Sequence, residues 1–478
     1  MNKETTIVFL ALLTALFNAY GETLRVGSQE AYRDIMAAAA VARAGDTIFL
    51  VDGIHRSEQL VQGLDGTPTD TIVVTCNQPS SARVLGGRYG LQLSQCSFVR
   101  VENIMFESQS MAGFIVDHSG PAGRTSNNVD VRHVRVERGG ADIGSVGIRF
   151  VAVDYYEITG CVVNDGAWFQ GIDLVGSNRG VVRECTVSGL TRGAGIVVRA
   201  GSQFVDVARC TFEDCAAVGV NLGGVSNASD FRPLDVGIEC ADARMYSCVV
   251  KNCATGMTFD GTERCIAVNN TFVGTTNNVF RLGTSNVFIP GLRASTNNQF
   301  VNNIVVFPRR MEAHVAVMAG TDVTSHIMSN NLWFNRDVPS LSDPNLLGIV
   351  ETTSTYGEDP LFVDPAHNFG IRAESPAVGK GVFVAGVFQD RSGRAFIEPR
   401  SIGAYQFDPS VSVSEEHLLS RGVSVTRDIN GHTVRTERNV AIDWFDLLGR
   451  WLGTTSHSAG VHVGIMEAGV VWRVLLAK

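Results

Sequence analysis

The sequence predicts an all-β protein whose main part is a right-handed parallel β-helix, a solenoid built from short strands. Nine related hexapeptides occur along the chain, from VENIMF to MSNNLW. Neighbouring hexapeptides start 22 to 38 residues apart, the length of one coil with or without an inserted loop. Their fourth positions are Ile104, Val134, Cys161, Cys185, Cys210, Cys248, Asn270, Asn303 and Asn331.

A second short segment follows each of the first six hexapeptides and begins with glycine: GFIVD, GIRF, GIDL, GIVV, GVNL and GMTF. Alternating polarity within these segments indicates strands with one face inward and one outward. Short strands joined by Asn and Gly turns, without a helical period, are typical of a parallel β-helix. The right hand follows from the strong preference of crossovers between parallel strands.

The hexapeptides also predict what fills the interior. Their first, fourth and sixth positions are mostly apolar or small, so the fourth positions should form an internal column of packed cysteines and mutually bonded asparagines. A disulfide or a metal site within the column are the alternatives, but the chain has no CxxC and no Cys–His pair at zinc spacing. Cys215 and Cys253, each five residues after a column cysteine, are the better disulfide candidates, with simple stacking as the alternative.

The net charge of the chain limits its possible partners, and its first 21 residues predict its location. The 478-residue chain carries a net charge of −9, which argues against nucleic acid and anionic membranes as partners because both attract basic surfaces. Lys3, the apolar stretch 7–17 and the small residues Ala19 and Gly21 predict a signal peptide over residues 1–21. No later segment is long and apolar enough to span a bilayer. We therefore expect a monomer, without transmembrane segments, that crosses the periplasm and is secreted or held at the cell surface.

Changes in residue composition and pattern along the chain predict where the solenoid begins and ends. SQEAYRDIMAAAAVARAGD predicts a helical N-terminal cap, with Ser28 as its N-cap. DPLFVDPAHNFGIRAESPAVGKG and SIGAYQF are expected to form the last irregular coils, so that the solenoid covers residues 22–408. Residues 409–421 are predicted to be a linker, and residues 422–478 a small C-terminal β-sandwich that serves in sorting or anchoring.

Both parts of the chain resemble known proteins. Residues 22–408 resemble secreted right-handed parallel β-helix proteins of the polysaccharide-lyase kind, the pectin-lyase-like superfamily, through AGDTIFLVDGIH, the hexapeptide column, ESPAVGKG and DRSGRAFIEPRSIGAYQF. Residues 422–478 are similar to the C-terminal sorting domain of type IX secretion substrates through AIDWFDLLGRW, SAGVHVGI and WRVLLAK, although the end departs from the commonest pattern. This second resemblance implies the secretion machinery as a partner and a tail that is removed at the outer membrane.

The first resemblance implies that a sugar polymer lies along one outer sheet. Counting outward positions of the glycine-opened strands gives one row of Arg149, Asp173, Val197, Asn221, Thr258 and Arg281, and a second row of Arg199, Gly223 and Asp260. Arginines on such a face suit a uronate chain, because guanidinium groups pair with carboxylates in a bidentate way. The alternative is an ordinary solvated sheet face.

β-Elimination needs a group that neutralises the uronate carboxylate, a base and an acid. We predict Arg199, Asp173 and Lys251 as catalytic residues. Arg199 as a base requires a lowered pKa, so pure substrate binding is its alternative role, and Lys251 could lie on another face. The predicted substrate-binding residues are Arg149, Asn221, Arg232, Asp260 and Arg281.

The longest interval, between Cys210 and Cys248, contains a loop that should overhang this face. Its carboxylates could bind Ca²⁺ as a cofactor, although their spacing matches no fixed calcium loop. An ion pair between Arg232 and Glu239 that pins the loop is the alternative. The candidate metal ligands are Asp230, Asp235, Glu239 and Asp242.

The function predicted from the sequence is a secreted, carbohydrate-active β-helix protein that cleaves an acidic polysaccharide by β-elimination. The asparagine-glycine-x-glutamate segment of alginate and chondroitin lyases and the paired aspartates of polygalacturonases are both missing. A non-catalytic glycan-binding or adhesin-like solenoid is therefore an alternative. A uronate epimerase or a glycoside hydrolase on the same fold is another.

Overall fold

A computed structural model describes residues 21–119, 124–234, 237–286, 289–311 and 313–407, together with five strands between residues 423 and 465. The main unit comprises residues 1–371 and 375–406, and its described part is the predicted right-handed parallel β-helix. Three long parallel sheets, with 13, 12 and 10 strands in the described residues, run along it. Each coil contributes one strand to each sheet, so residues a whole coil apart become neighbours.

The strands of the three sheets follow one another in chain order. The first sheet contains Thr23–Val26, Thr47–Leu50, Ile72–Cys76, Ser97–Glu102, Ser126–Arg132, Val153–Thr159, Asn178–Arg183, Val205–Ala208, Arg244–Tyr246, Ile266–Val268, Gln299–Val301, Ile327–Ser329 and Glu351–Thr352. The second sheet contains Gly53–His55, Ala82–Leu85, Met105–Glu107, Arg135–Glu137, Val162–Gly166, Thr186–Leu190, Thr211–Cys215, Val249–Lys251, Thr271–Val273, Ile304–Phe307, Leu332–Asn335 and Thr355–Tyr356. The third sheet contains Gln59–Gln62, Tyr89–Ser94, Ala112–Asp117, Val146–Val151, Gln170–Val175, Ala194–Arg199, Val218–Gly223, Thr255–Asp260, Asn278–Gly283 and Val315–Val317.

Short elements complete the main unit. A small parallel sheet joins Ser202–Gln203, Cys240–Ala241 and Thr262–Glu263, and Phe362–Asp364 pairs with Asn368–Ile371 in an antiparallel hairpin. The 3₁₀ helices are Ala228–Asp230, Val323–Ser325 and Pro339–Leu341. No helix in the described residues combines the length and apolarity needed to cross a membrane.

The predicted column lies between the first and second sheets, and all nine of its side chains are buried. Asn270 Nδ2 donates to Asn303 Oδ1 at 3.1 Å, and Asn303 Nδ2 donates to Asn331 Oδ1 at 3.2 Å. The same carboxamide oxygens accept backbone N–H groups one coil earlier, so the asparagines satisfy buried donors as predicted. The column cysteines are free thiols, which confirms packing.

The candidate disulfide between Cys215 and Cys253 is not formed. Cys215 and Cys253 are both buried and both free. Their side chains stack on neighbouring coils, where the Cys253 thiol donates to Phe212 O at 3.7 Å. The stacking alternative therefore describes this pair.

The glycine near the start of most strands of the third sheet is required by close packing. At Gly171, an added Cβ would lie 2.4 Å from Val187 Cγ1 and 2.6 Å from Gly195 O. Gly147 and Gly195 meet the facing sheet in the same way. A larger residue would therefore push the third sheet away from the core.

The N-terminal cap contains the helix Ile35–Ala39, which is shorter than predicted. Its N-cap is Asp34, whose carboxylate accepts from Ala37 N at 2.9 Å, so the assignment of Ser28 was wrong. Ile35 and Ala38 are buried, which fastens the helix to the first coils. The helix begins after Asp34 and not after Ser28, because residues 28–33 form turns and Tyr32 forms a β-bridge with Val26 of the first strand.

The last segment of the main unit departs from the prediction of irregular terminal coils. After the hairpin, the chain returns along the side of the solenoid instead of extending it. Val382 exchanges two hydrogen bonds with Asn302, and Arg391 Nη2 donates to Thr211 Oγ1 at 3.0 Å, several coils earlier. Polar side chains at the turns between the first two sheets thus bind the returning backbone.

A second unit comprises residues 372–374 and 407–478. Its strands are antiparallel: Val423–Asp428, Gly431–Thr436 and His462–Ile465 form one sheet, and Val440–Phe445 and Trp451–His457 form another. The packing of these two sheets into a β-sandwich stays a prediction. The predicted linker 409–421 and residues 1–20 of the predicted signal peptide lie outside the described residues.

Candidate functional site

The outward face of the third sheet carries the predicted row in register. Arg149 pairs with Asp173, Asp173 with Val197, Val197 with Asn221, Asn221 with Thr258, and Thr258 with Arg281. We call these six residues the outer row. Arg199 and Asp260 lie two residues further along their strands, as the outward count predicted.

Asp173 is the centre of the first cluster on this face. Its carboxylate has no exposed surface and accepts from Arg199 Nε at 3.0 Å, from Arg199 Nη2 at 3.1 Å and from Arg149 Nε at 3.1 Å. Two guanidinium groups thus compensate for the loss of hydration of one buried carboxylate. Asp173 therefore orients two arginines and has no surface from which to reach a substrate.

Arg199 is held from both sides. The loop after its neighbouring strand places Ser226 Oγ 3.4 Å and Asp230 Oδ2 3.5 Å from Arg199 Nη1. Burial lowers the pKa of the Arg199 guanidinium, but the carboxylates of Asp173, Asp230 and Glu239 outweigh burial and leave the pKa raised. Arg199 therefore stays charged and does not suit the role of a base.

Glu239 pins the loop, although not by the predicted ion pair with Arg232. The buried Glu239 carboxylate accepts from Ala200 N, from Ser226 N and Oγ, and from Asn286 Nδ2, at 2.6 to 3.1 Å. These four bonds hold the start of the loop against the turn after Arg199. Arg232 instead pairs with Asp154, two coils earlier.

A second cluster lies at the other end of the outer row. The nearly buried Asp260 accepts from Arg281 Nη2 at 3.2 Å and from Ser285 N and Oγ, both at 2.6 Å. Burial raises the pKa of the Asp260 carboxyl group, and the bonds from Ser285 and Arg281 reduce this effect. Arg281 is 37% exposed at its side chain, so this guanidinium remains accessible.

Polar contacts continue between the two clusters. Thr258 Oγ1 donates to Asn221 Oδ1, and Asn221 Nδ2 has no partner among the described residues. Asn221 is partly exposed, whereas Thr258 is buried. The amide of Asn221 is thus available as a donor midway along the outer row.

The predicted catalytic lysine is not at this face. Lys251 lies in the strand Val249–Lys251 of the second sheet, where its ammonium group is 2.5 Å from Glu213 Oε1. Lys251 directly follows the hexapeptide MYSCVV, and the hexapeptides lead into strands of the second sheet. The count of outward positions covered only the glycine-opened strands of the third sheet, so it did not place Lys251. The grouping of Lys251 with Arg199 and Asp173 was therefore wrong.

The predicted calcium ligands do not converge in the described residues. Asp242 forms a bidentate ion pair with Arg264. Asp230 accepts a hydrogen bond from Asn227 N at the start of the 3₁₀ helix, and the carboxylate oxygens of Glu239 accept hydrogen bonds from donors such as Asn286 Nδ2. Asp235 lies outside the described part of the chain. No group of three metal-binding side chains is found in the described residues, so these carboxylates do not fit a calcium ion.

One exposed feature was missed in the sequence. The Arg179 guanidinium lies 5.7 Å from the ring centres of both Tyr155 and Phe204, and both rings are about half exposed. The three residues occupy equivalent places on successive coils, where the chain enters the strands of the first sheet. Their signal was present, because each stands six residues before Cys161, Cys185 or Cys210.

Comparisons with known proteins concern the fold. A model described as "Right handed beta helix region" matches residues 71–233. No curated protein matched the chain. Among similar solved structures, an alginate lyase from Paenibacillus sp. is 13% identical, with 63% of this chain and 97% of that chain covered and a TM-score of 0.41.

Two further structures are similar at the same level. Pectate lyase Pel9A is 12% identical, with 82% of this chain and 97% of that chain covered and a TM-score of 0.47. A PL6 family polysaccharide lyase from Pseudopedobacter saltans is 12% identical, with 73% and 96% covered and a TM-score of 0.46. At these identities the likeness extends to the parallel β-helix fold alone.

Proposed function

We propose that this protein is carbohydrate-active: it binds an acidic, uronate-containing polysaccharide along the outer row and cleaves it by β-elimination. The observation that carries the proposal is the outer row itself, which spans six neighbouring strands with an accessible arginine at each end and the partly exposed amide of Asn221 between them. With about 4.8 Å between strands, Arg149 and Arg281 are roughly 24 Å apart. A row of this length suits a polymer.

The two end arginines are the proposed carboxylate-binding groups. The side chains of Arg149 and Arg281 are 27% and 37% exposed, and their Nη1 groups have no partner among the described residues. Their remaining donors can pair with uronate carboxylates. Arg199 is 14% exposed and surrounded by carboxylates, so we assign it to positioning within the Asp173 cluster.

The proton acceptor that we propose is Asp260. A carboxylate with a raised pKa is a better base than an ordinary one. Arg281, which donates to Asp260, would neutralise the uronate carboxylate beside it. This assignment replaces Arg199 as the base, because an arginine base needs a lowered pKa and the pKa of Arg199 is raised.

Incubation of the purified protein with pectate, alginate and glycosaminoglycans tests the proposal. Appearance of the ultraviolet absorbance of unsaturated uronates is the expected result. Asp260→Asn should abolish this product while the polysaccharide still binds, and Arg149→Ala should weaken binding. Arg135→Ala, on the second sheet, is the matched control and should change neither. A protein that neither binds nor cleaves any of these polymers would refute the proposal.

A non-catalytic glycan-binding protein is the second candidate. Two observations favour it: the Asp260 side chain is only 3% exposed, and Tyr155, Arg179 and Phe204 present a stacked, half-exposed surface. Aromatic faces are well suited to the apolar faces of sugar rings. Saturable binding of an acidic polysaccharide by the wild-type protein without any unsaturated product would decide for this candidate.

For location, we propose export through the signal peptide 1–21 and sorting through residues 422–478. The separation of residues 407–478 from the solenoid as a compact unit supports an appended domain. Deleting the residues after Arg421 should leave a folded solenoid that is retained in the periplasm. Secretion of the shortened protein at an unchanged level would count against the sorting domain.

A further inference from the structure

The second sheet has a cavity that the proposed function does not use. It lies where the hairpin Phe362–Ile371 and the returning C-terminal segment pack over the strands Thr211–Cys215 and Val249–Lys251, and its volume is about 200 Å³. Its lining includes the Lys251–Glu213 ion pair, whose lysine was predicted to be catalytic. The described residues of one unit form all of it.

The polar groups of the cavity have unused hydrogen-bonding capacity. The Tyr405 hydroxyl and both ring nitrogens of His367 have no hydrogen-bond partner among the described residues. Thr211 Oγ1 already accepts from Arg391, so its own hydrogen is available for donation. Glu213 uses only Oε1 for Lys251, which leaves Oε2 as an acceptor.

The charge of the cavity argues against an anionic ligand. Lys251 and Glu213 neutralise each other at 2.5 Å, so the charges of this lysine and this glutamate cancel within the lining. The lining combines hydrogen-bond donors and acceptors with the aromatic residue Phe369. Hydroxyl groups, which both donate and accept, match this mixture, and a sugar ring adds an apolar face for Phe369.

The size of the cavity limits the ligand. Sites for drug-sized molecules enclose about 300–1,000 Å³. A cavity of about 200 Å³ is smaller than these but holds several water molecules, so it has room for a compact polyhydroxylated ring. We propose that this cavity binds one neutral sugar unit, either a free monosaccharide or the terminal residue of a neutral glycan.

Calorimetric titration of the full chain tests this site. The probes are glucose, galactose, mannose and N-acetylglucosamine, together with cellobiose and lactose. Saturable binding is expected for at least one probe, and Tyr405→Phe should weaken it about fivefold, the effect of one lost hydrogen bond. Tyr356→Phe removes a tyrosine hydroxyl from the second sheet at a position outside the cavity lining, so it should leave the affinity unchanged.

Each outcome has a defined meaning. Binding of monosaccharides identifies a free sugar as a ligand, and binding of the disaccharides alone identifies a chain end. His367→Ala, at the exposed hairpin, provides a second variant that should weaken binding without a change in the unfolding temperature. The absence of saturable binding to every probe, or an affinity that neither Tyr405→Phe nor His367→Ala alters, would overturn the proposal. Either result leaves the acidic polysaccharide site on the third sheet unaffected.

Discussion

The carboxylate of Asp173, fully buried in the third sheet, accepts two hydrogen bonds from the guanidinium of Arg199, at 3.0 and 3.1 Å. This pair joins two neighbouring coils, and the loop residue Asp230 approaches the same guanidinium from outside. Charge on this face is therefore organised around a buried anion, and the exposed arginines stand at its margins. Four predictions test the contacts that hold this arrangement and the solenoid beneath it.

Asp173→Asn should destabilise the protein strongly. The substitution removes the buried counter-charge of Arg199, whose side chain is only 14% exposed, and turns an amide toward two guanidinium groups. Removing one partner of a buried pair costs about 3–5 kcal/mol. Denaturant unfolding measures the change, with the exposed Asp52→Asn as the control. Equal stability of the two variants would contradict the buried ion pair.

Asn303→Ala should break the row of hydrogen-bonded asparagines formed by Asn270, Asn303 and Asn331. The Asn303 carboxamide accepts from Asn270 N and Nδ2 and donates to Ala267 O, all within the core. Each buried group left without a partner costs about 1–3 kcal/mol. The free energy of unfolding should fall accordingly, whereas Asn277→Ala, at an exposed turn, should have little effect. Similar values for both variants would contradict a stabilising role of these buried asparagines.

The ten cysteines should be unreactive in the folded protein. All ten are free and buried, so a reagent cannot reach the sulfur atoms in the folded state, and burial also raises the pKa of Cys185 and of Cys248. A thiol reagent should label none before unfolding and all ten in denaturant, with or without a reductant. Eight labelled thiols in the absence of a reductant, two fewer than ten, would indicate the Cys215–Cys253 disulfide that the structure lacks.

Acidification should weaken the C-terminal coils through His326. This buried ring accepts from Asn298 N at Nδ1, and burial lowers its pKa below the ordinary 6.5, against the opposing effect of Asp322. The unfolded chain then binds the proton more readily, so stability is present above about pH 6.5 and is lost as the pH falls toward the folded pKa. His326→Gln removes this titration.

Unfolding temperatures at about pH 7.5 and about pH 5.5 check the histidine prediction. The loss on acidification should be smaller for His326→Gln than for the wild-type protein. A part of the loss should remain, because burial also lowers the pKa of His314. An identical loss in both proteins would exclude His326 as a contributor.

The sequence by itself determined the coil repeat, the inward column and the outward rows. The reason is local: side chains alternate along a strand, and one coil places equivalent residues beside each other, so Ile104 to Asn331 and Arg149 to Arg281 could be counted. Tyr155, Arg179 and Phe204 could have been found by the same count, since they keep a constant distance from the column.

Only the tertiary structure decided which partner each polar side chain takes. Arg232 reaches Asp154 and not Glu239, Lys251 lies on the second sheet, and Arg391 returns to Thr211 across 180 residues of sequence. These contacts depend on the reach of long side chains and on the path of irregular segments, for which the repeat supplies no rule. The burial that raises the pKa of Asp260, and the loop carboxylates Asp230 and Glu239 that help keep Arg199 charged, likewise come into place only when loops close over the sheet.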